Sequence, residues 1–249
     1  MRNRTVTTFI LLGLTDDIRL KILLFIFLLL SYMLSLSGNI TIITLTLADP
    51  HLKTPMYILL KNFSFLEISL TTACIPRFLY SMSSGDKSIT YFACLTQLLS
   101  IDLFAVAEFF LLAIMSYDRY VAICKPLHYM TIMNSRACRN FIFFCWVAAL
   151  TIVLPPVSLG LGLEFCDSNL IDHFCCDAAP LLKISCSDTW LVEQMVIVDA
   201  VLTFIITFVC VLVVSISPML NPFIYALRNK QVKQAFNYSI KKIASLSKI

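Results

Sequence analysis

The stretch VLTFIITFVCVLVVSISPMLNPFIYALRNK, residues 201–230, is apolar almost to its end, sets Asn221 between Pro218 and Pro222, and closes on Arg228 and Lys230. Extended back to residue 191, it is far longer than the roughly 20 residues a membrane crossing needs. The rest of the chain has the same character. Its 249 residues are 59% hydrophobic and 14% charged, against roughly 45–50% and 25% in soluble domains, and the mean hydropathy is +0.87. Five stretches are long and apolar enough to span: about 22–47, 55–80, 94–117, 139–161 and 191–227, the second interrupted by Glu67 and Arg77. None alternates polar and apolar positions as barrel strands do, and an open sheet would leave backbone groups unbonded in lipid. An all-α helical bundle is therefore expected. Residues 1–21 and 228–249 are then tails flanking a bundle over 22–227. No internal repeat or low-complexity segment interrupts it.

Sidedness follows from charge and chemistry. Arg2, Arg4, Arg19 and Lys21 precede the first span and, taken alone, favour a cytoplasmic N-terminus. Three features oppose them. Asn3-Arg4-Thr5 is a glycosylation acceptor, meaningful only on the lumenal side. Cys166, Cys175, Cys176 and Cys186, set among Glu164, Asp167, Asp172, Asp177 and Asp188, suit an oxidising exterior. The tail from Arg228 carries Lys230, Lys233, Lys241, Lys242 and Lys248 without an acid, as suits an anionic cytoplasmic leaflet. Five spans then put the N-terminus outside and the C-terminus inside. The run FILLGL before Asp16 and Asp17 has no small-residue cleavage site after it, so the first span is expected to act as its own anchor. The sequons at Asn39 and Asn62 fall in or beside spans and that at Asn237 in the inner tail, which leaves Asn3 as the accessible acceptor.

At the inner end of the third span stands MSYDRYVAICKPLHY, residues 115–129. An arginine at this depth costs about 3 kcal/mol unless it is paired or reaches water, and Asp118 is the expected partner of Arg119. Alone, the pair could be a plain interfacial contact. It stands in order, however, with SGNI (37–40), LKTPMYILLKNFSFLEIS (52–69), Trp146 and PMLNPFIYALRNK (218–230). With CDSNLIDHFCCD (166–177) and SCSDTW (185–190), these segments resemble a vertebrate olfactory receptor, a subfamily of the rhodopsin-like G-protein-coupled receptors. The resemblance runs from TTFILLGL (7–14) to about residue 214 and resumes at about 218. Small departures are Lys53 where the family usually has His, Ser116 where it has Ala, and Cys175 where it has Phe.

The large departure lies in the opening stretch. The family has seven helices, and the blocks that end helix 5 and open helix 6 are absent here. Asn221-Pro222-Phe223-Ile224-Tyr225, the motif that ends helix 7, directly follows the fifth span. The run is long because it reads as the outer part of helix 5 joined to the inner end of helix 7. Both parents run from outside to inside, so the join preserves the side of the tail. As one helix, residues 191–227 measure about 55 Å against a core of about 30 Å, so the segment must overhang, tilt, or bend near Pro218 and Pro222.

The resemblance implies particular roles. Asn39, Glu67, Glu108 and Asn221 correspond to a polar, cation-binding centre in relatives; read from the residues alone, they could equally hold helices together by hydrogen bonds. Anchoring on Cys94 and Arg119 brings Ile101, Asp102, Ala105 and Val106 to a cavity between the outer halves of helices 3 and 5. Asp102 and Asp199 are acids within apolar spans; one at the cavity could recognise an amine or sit protonated against a neighbour. The apolar remainder suits small volatile ligands. Asp118, Arg119, Tyr120 and Tyr225 correspond to the G-protein-coupling face. Implied disulfides are Cys94 to Cys176 and Cys166 to Cys186, with Cys175 the odd thiol, and Cys74, Cys124, Cys138, Cys145 and Cys210 as small apolar fillers. Metal binding by Cys166, His173, Cys175 and Cys176 matches no closed zinc spacing. There is no phosphate loop and no HExxH, and the three histidines are scattered, so no enzyme, cofactor or nucleic-acid partner is expected. The expected partners are an odorant, a heterotrimeric G protein and membrane lipid, with the plasma membrane as the site of action. The second reading is a truncated isoform or pseudogene product without signalling, retained in the endoplasmic reticulum or paired with full-length receptors.

Overall fold

In a computed structural model of the protein, residues 7–15, 17–49, 54–165 and 169–228 are described, the last nineteen (210–228) by backbone alone. Five long helices carry the architecture: α1 (Ile18–Ala48), α2 (Pro55–Ser84), α3 (Tyr91–Cys124), α5 (Ser135–Gly160) and α7 (Trp190–Arg228). Each contains a window apolar and long enough to cross a membrane. Two short helices, α4 (Tyr129–Ile132) and α6 (Ala178–Lys183), lie in the connections.

The helix ends are set by local chemistry. Asp17 caps α1 by accepting from the Arg19 amide, Thr90 caps α3 through the Ala93 amide, and Asn134 caps α5 through the Ala137 amide. Pro55 opens α2 at a position where its missing amide costs nothing, and Gly85 ends it at φ 74°, the left-handed conformation that favours glycine. Inside the spans, hydroxyls have no water to bond. Thr41, Ser69, Thr96, Ser100, Thr151 and Thr207 each donate to the carbonyl four residues earlier, so the helix satisfies its own polar side chains.

Helix α3 is the hub, packing against α2, α5 and α7, while α1 packs on α2. Where α2, α3 and α5 meet, Ser64, Ala107, Cys138 and Ala149 are fully buried, because small side chains let backbones approach closely. The α5 Trp146 ring packs edge-on against Phe104 of α3. Segment α7 is one 39-residue helix that continues through Pro218 and Pro222. The helix is not broken at the prolines, which leaves overhang, tilt or a bend to fit the over-long span.

A three-stranded sheet, ordered β2-β1-β3, caps the bundle and is absent from the sequence expectation. Strand β1 (Thr8–Leu11) pairs antiparallel with β2 (Ser88–Thr90) and parallel with β3 (Leu170–Ile171). Phe9, Leu11, Ile89, Cys94, Leu98, Phe165, Ile171 and Cys176 fill a core beneath it. The N-terminal segment is thus built into the outer loops. Arg77, the charge that interrupts the second span, reaches the Ser88 carbonyl of β2 and so escapes the apolar interior.

Candidate functional site

The outer ends of α3, α5 and α7 enclose a cleft of about 490 Å³, part of it open to the outside. Leu95, Leu98 and Asp102 of α3 form one wall, Pro156, Val157 and Gly160 of α5 a second, and Val192 and Val196 of α7 a third. Leu163, Phe165, Ala178, Leu181 and Leu182 close it from the connecting loop. Among the described residues, Asp102 is the single charged side chain in this lining. Of the four positions expected to face a cavity, Ile101, Ala105 and Val106 do not line this cleft. The difference has a geometric reason: residues 95, 98 and 102 form one stripe at helical spacing on the outer turns, whereas Val106 packs against the core of α2, α3 and α5.

Gln97, which sequence reasoning missed, organises the roof. Only 8% exposed, it donates from Nε2 to the Ala73 carbonyl of α2 at 2.9 Å and accepts from the Cys176 amide at 3.1 Å. Cys176 is also bonded to Cys94, with an S–S distance of 2.05 Å. The loop is therefore held to α3 covalently and to α2 through one amide side chain. Cys186 is disulfide-bonded as well; its expected partner Cys166 lies outside the described residues, as does Asn3. Among the described residues, no cluster of three or more His, Cys, Asp or Glu side chains is arranged to hold a metal ion.

Lower in the bundle, Glu67 of α2 and Glu108 of α3 lie close to each other, and among the described residues Glu108 Oε2 is buried with no donor on it. Asn39 turns its amide nitrogen to Ser35 within α1, at 3.0 Å from the carbonyl and 3.3 Å from the hydroxyl. Asn221 and Tyr225 fall on the last turns of α7, beyond the described side chains.

The inner motif departs from expectation. Asp118 is 2% exposed and accepts a hydrogen bond from Tyr129 Oη at 2.8 Å. Arg119 is exposed and its guanidinium meets Met56 Sδ of α2. Adjacent residues on a helix do not face each other, so the acid is answered by the tyrosine that the turn at Pro126–His128 folds back, rather than by its neighbour. Burial, then the Asp118 hydrogen bond, pushes the Tyr129 phenol above its ordinary value. Tyr120 packs partly buried against the core of α2, α3 and α5.

A bundle of apolar helices around α3, roofed by a disulfide-tied loop and carrying acids in its interior, defines a multi-pass helical membrane protein. The family described as "7 transmembrane receptor (rhodopsin family)" matches residues 38–217, and the chain belongs to it, in its olfactory-receptor branch. Similar human proteins include Olfactory receptor 6C2, 56% identical over 311 residues, and Olfactory receptor 6C68, 54% identical over 307; the alignments cover 100% and 98% of both partners. Olfactory receptor 6C74 is 47% identical over 310 residues and 99% of each. An alignment of 311 positions set against 249 residues (311 − 249) leaves at least 62 positions with no counterpart in this chain. The family match stops at residue 217, directly before Pro218.

Proposed function

We propose that this chain is an odorant receptor that keeps its outer ligand cleft and has lost its G-protein output. The carrying observation is the shortfall of 62 positions against Olfactory receptor 6C2, about the length of two membrane crossings with a connection. A ligand biases a two-state receptor only through an element whose arrangement differs between the states. In rhodopsin-like receptors that element is helix 6, whose inner end swings outward to open the cavity beside Arg119 and Tyr120. The chain retains Asp118, Arg119, Tyr120 and Tyr225 but not this element. The cleft takes a small, mainly apolar ligand, with Asp102 as its single charge. Glu67, Glu108, Asn39 and Asn221 form the remnant of the polar, cation-binding centre. The N-terminus lies outside with Asn3 glycosylated, and the basic tail lies inside. The interior acids, left without the missing helices, favour retention in the endoplasmic reticulum or pairing with intact receptors over delivery to the plasma membrane.

The test is a cAMP assay in cells supplied with an olfactory G protein and a trafficking helper, run on this chain and on the same chain with the missing segment restored from a close relative. Odorants that raise cAMP through the restored chain should evoke nothing through the 249-residue chain. A robust response from the shorter chain, abolished by Arg119→Ala, overturns the proposal.

A further inference from the structure

Loop residues 173–176 press against α2 at three neighbouring points. The Phe174 ring packs on Phe78, with centroids 5.1 Å apart. Gln97 links the Cys176 amide to the Ala73 carbonyl. Between these points Cys175 comes beside Cys74, which stands one turn before Phe78 on the same face of α2. Both cysteines are reduced, Cys74 half-buried and Cys175 6% exposed. Successive side chains of the loop thus serve opposite helices: Cys176 is joined to Cys94 on α3, and Cys175 abuts Cys74 on α2.

We propose that Cys74 and Cys175 form a further disulfide, tying the outer loop to α2 beside the bridge that ties it to α3. Three observations favour a bridge over a pair of inert buried thiols. The two cysteines are neighbours in a region where the backbone on both sides is already fixed, by Gln97 and by the Phe174–Phe78 contact, so closing the bond costs little ordering. The neighbouring cysteine of the same loop is already oxidised, so the compartment supplies the oxidant. A base stands ready: His173 Nδ1 lies 3.4 Å from Cys175 Sγ and can take its proton.

The chemistry balances as ordinary thiol–disulfide exchange. The thiolate of half-buried Cys74 attacks one sulfur of an external disulfide, glutathione disulfide or a protein disulfide of the secretory lumen, and releases one thiol. The Cys175 thiolate, its proton taken by His173, then attacks the Cys74 sulfur of the mixed disulfide and releases the second. Two electrons pass from the cysteine pair to the external disulfide, and the two protons leave with the released thiols. The product holds the roof of the cleft to two helices rather than one.

The experiment uses the whole chain in membranes, treated with diamide until Cys94 no longer reacts with N-ethylmaleimide after denaturation in detergent without reductant. Labelling of Cys74 is then read by mass spectrometry on the tryptic peptide 62–77. In the wild-type chain Cys74 should be unlabelled and become labelled only after reduction; in Cys175→Ser it should be labelled without reduction. Full labelling of Cys74 in wild-type chains whose Cys94 is protected overturns the proposal. So does a Cys74 that stays protected in Cys175→Ser, because its partner is then another cysteine.

Discussion

Replacing Tyr129 with phenylalanine removes one oxygen atom and should destabilise the bundle more than removing the whole Arg119 side chain. Asp118 is 2% exposed and takes its hydrogen bond from Tyr129 Oη, so Tyr129→Phe leaves a buried carboxylate without that donor. Hydrogen bonds to charged groups contribute about 1.5–3 kcal/mol. At about 2–4 °C of melting temperature per kcal/mol for chains of this size, the expected loss is about 3–12 °C. Arg119 is exposed and bonded to a thioether, so Arg119→Ala should cost under about 1 kcal/mol, as surface charges do. The assay is thermal unfolding in detergent followed with a thiol-reactive fluorophore, since the buried thiols of Cys138 and Cys145 become reactive only when the core opens. The pH dependence has a definite sign. The folded phenol titrates above its ordinary value of 10.0, so its contribution is complete below pH 10 and fades as pH rises beyond that. The penalty of Tyr129→Phe should therefore be flat through neutral and mildly alkaline pH. A Tyr129→Phe protein as stable as wild type, with Arg119→Ala strongly destabilised, would refute the pairing and restore the adjacent Asp118–Arg119 contact.

Gln97→Leu strands the buried Cys176 amide and should lower stability by about 1–3 kcal/mol in the same assay; an unchanged melting temperature would deny the side chain its role as a link. Phe9→Ala removes a 1%-exposed ring that packs edge-on against Phe165 at 5.2 Å, a loss of about 3–5 kcal/mol from the outer core. It should make the N-terminal segment cleavable by protease admitted to the lumenal side of isolated membranes, where the wild-type strand is protected. Glycosidase treatment should shift the mass of the expressed chain by one glycan, and Asn3→Gln should abolish the shift; a persistent shift would reverse the assigned sidedness.

The five long helices were legible because a membrane crossing is a demand on composition and length, and each run met it without reference to any other. The interruption at Arg77 was legible too, though not its solution, because Ser88 comes to meet it only through the sheet. That sheet could not be read. Its strands are two to four residues long and pair Thr8 with Thr90 and Ile10 with Leu170, and such short runs carry no period of their own. Of the four positions expected at a cavity, Asp102 lines this cleft and the other three do not, because anchoring on Cys94 and Arg119 fixes which way a helix faces without fixing where the opposing walls stop. Asp118 was assigned to its sequence neighbour, although adjacent side chains on a helix do not face each other; the partner eleven residues on depended on a turn that only the folded chain supplies. Gln97 gave no signal, since a lone amide in an apolar span looks the same whether it bridges two elements or none.

The small outer sheet also dictates an order of events during synthesis. Strand β1 is made about 160 residues ahead of Leu170–Ile171, the parallel partner that completes its sheet. At about 5–20 residues per second, the intervening 160-odd residues take roughly ten to thirty seconds to make. Through that interval Phe9 and Leu11, destined for burial, have no finished core to enter. A chaperone that shields the first segment to emerge, and releases it only after the fourth crossing is in place, is the assistance this topology calls for.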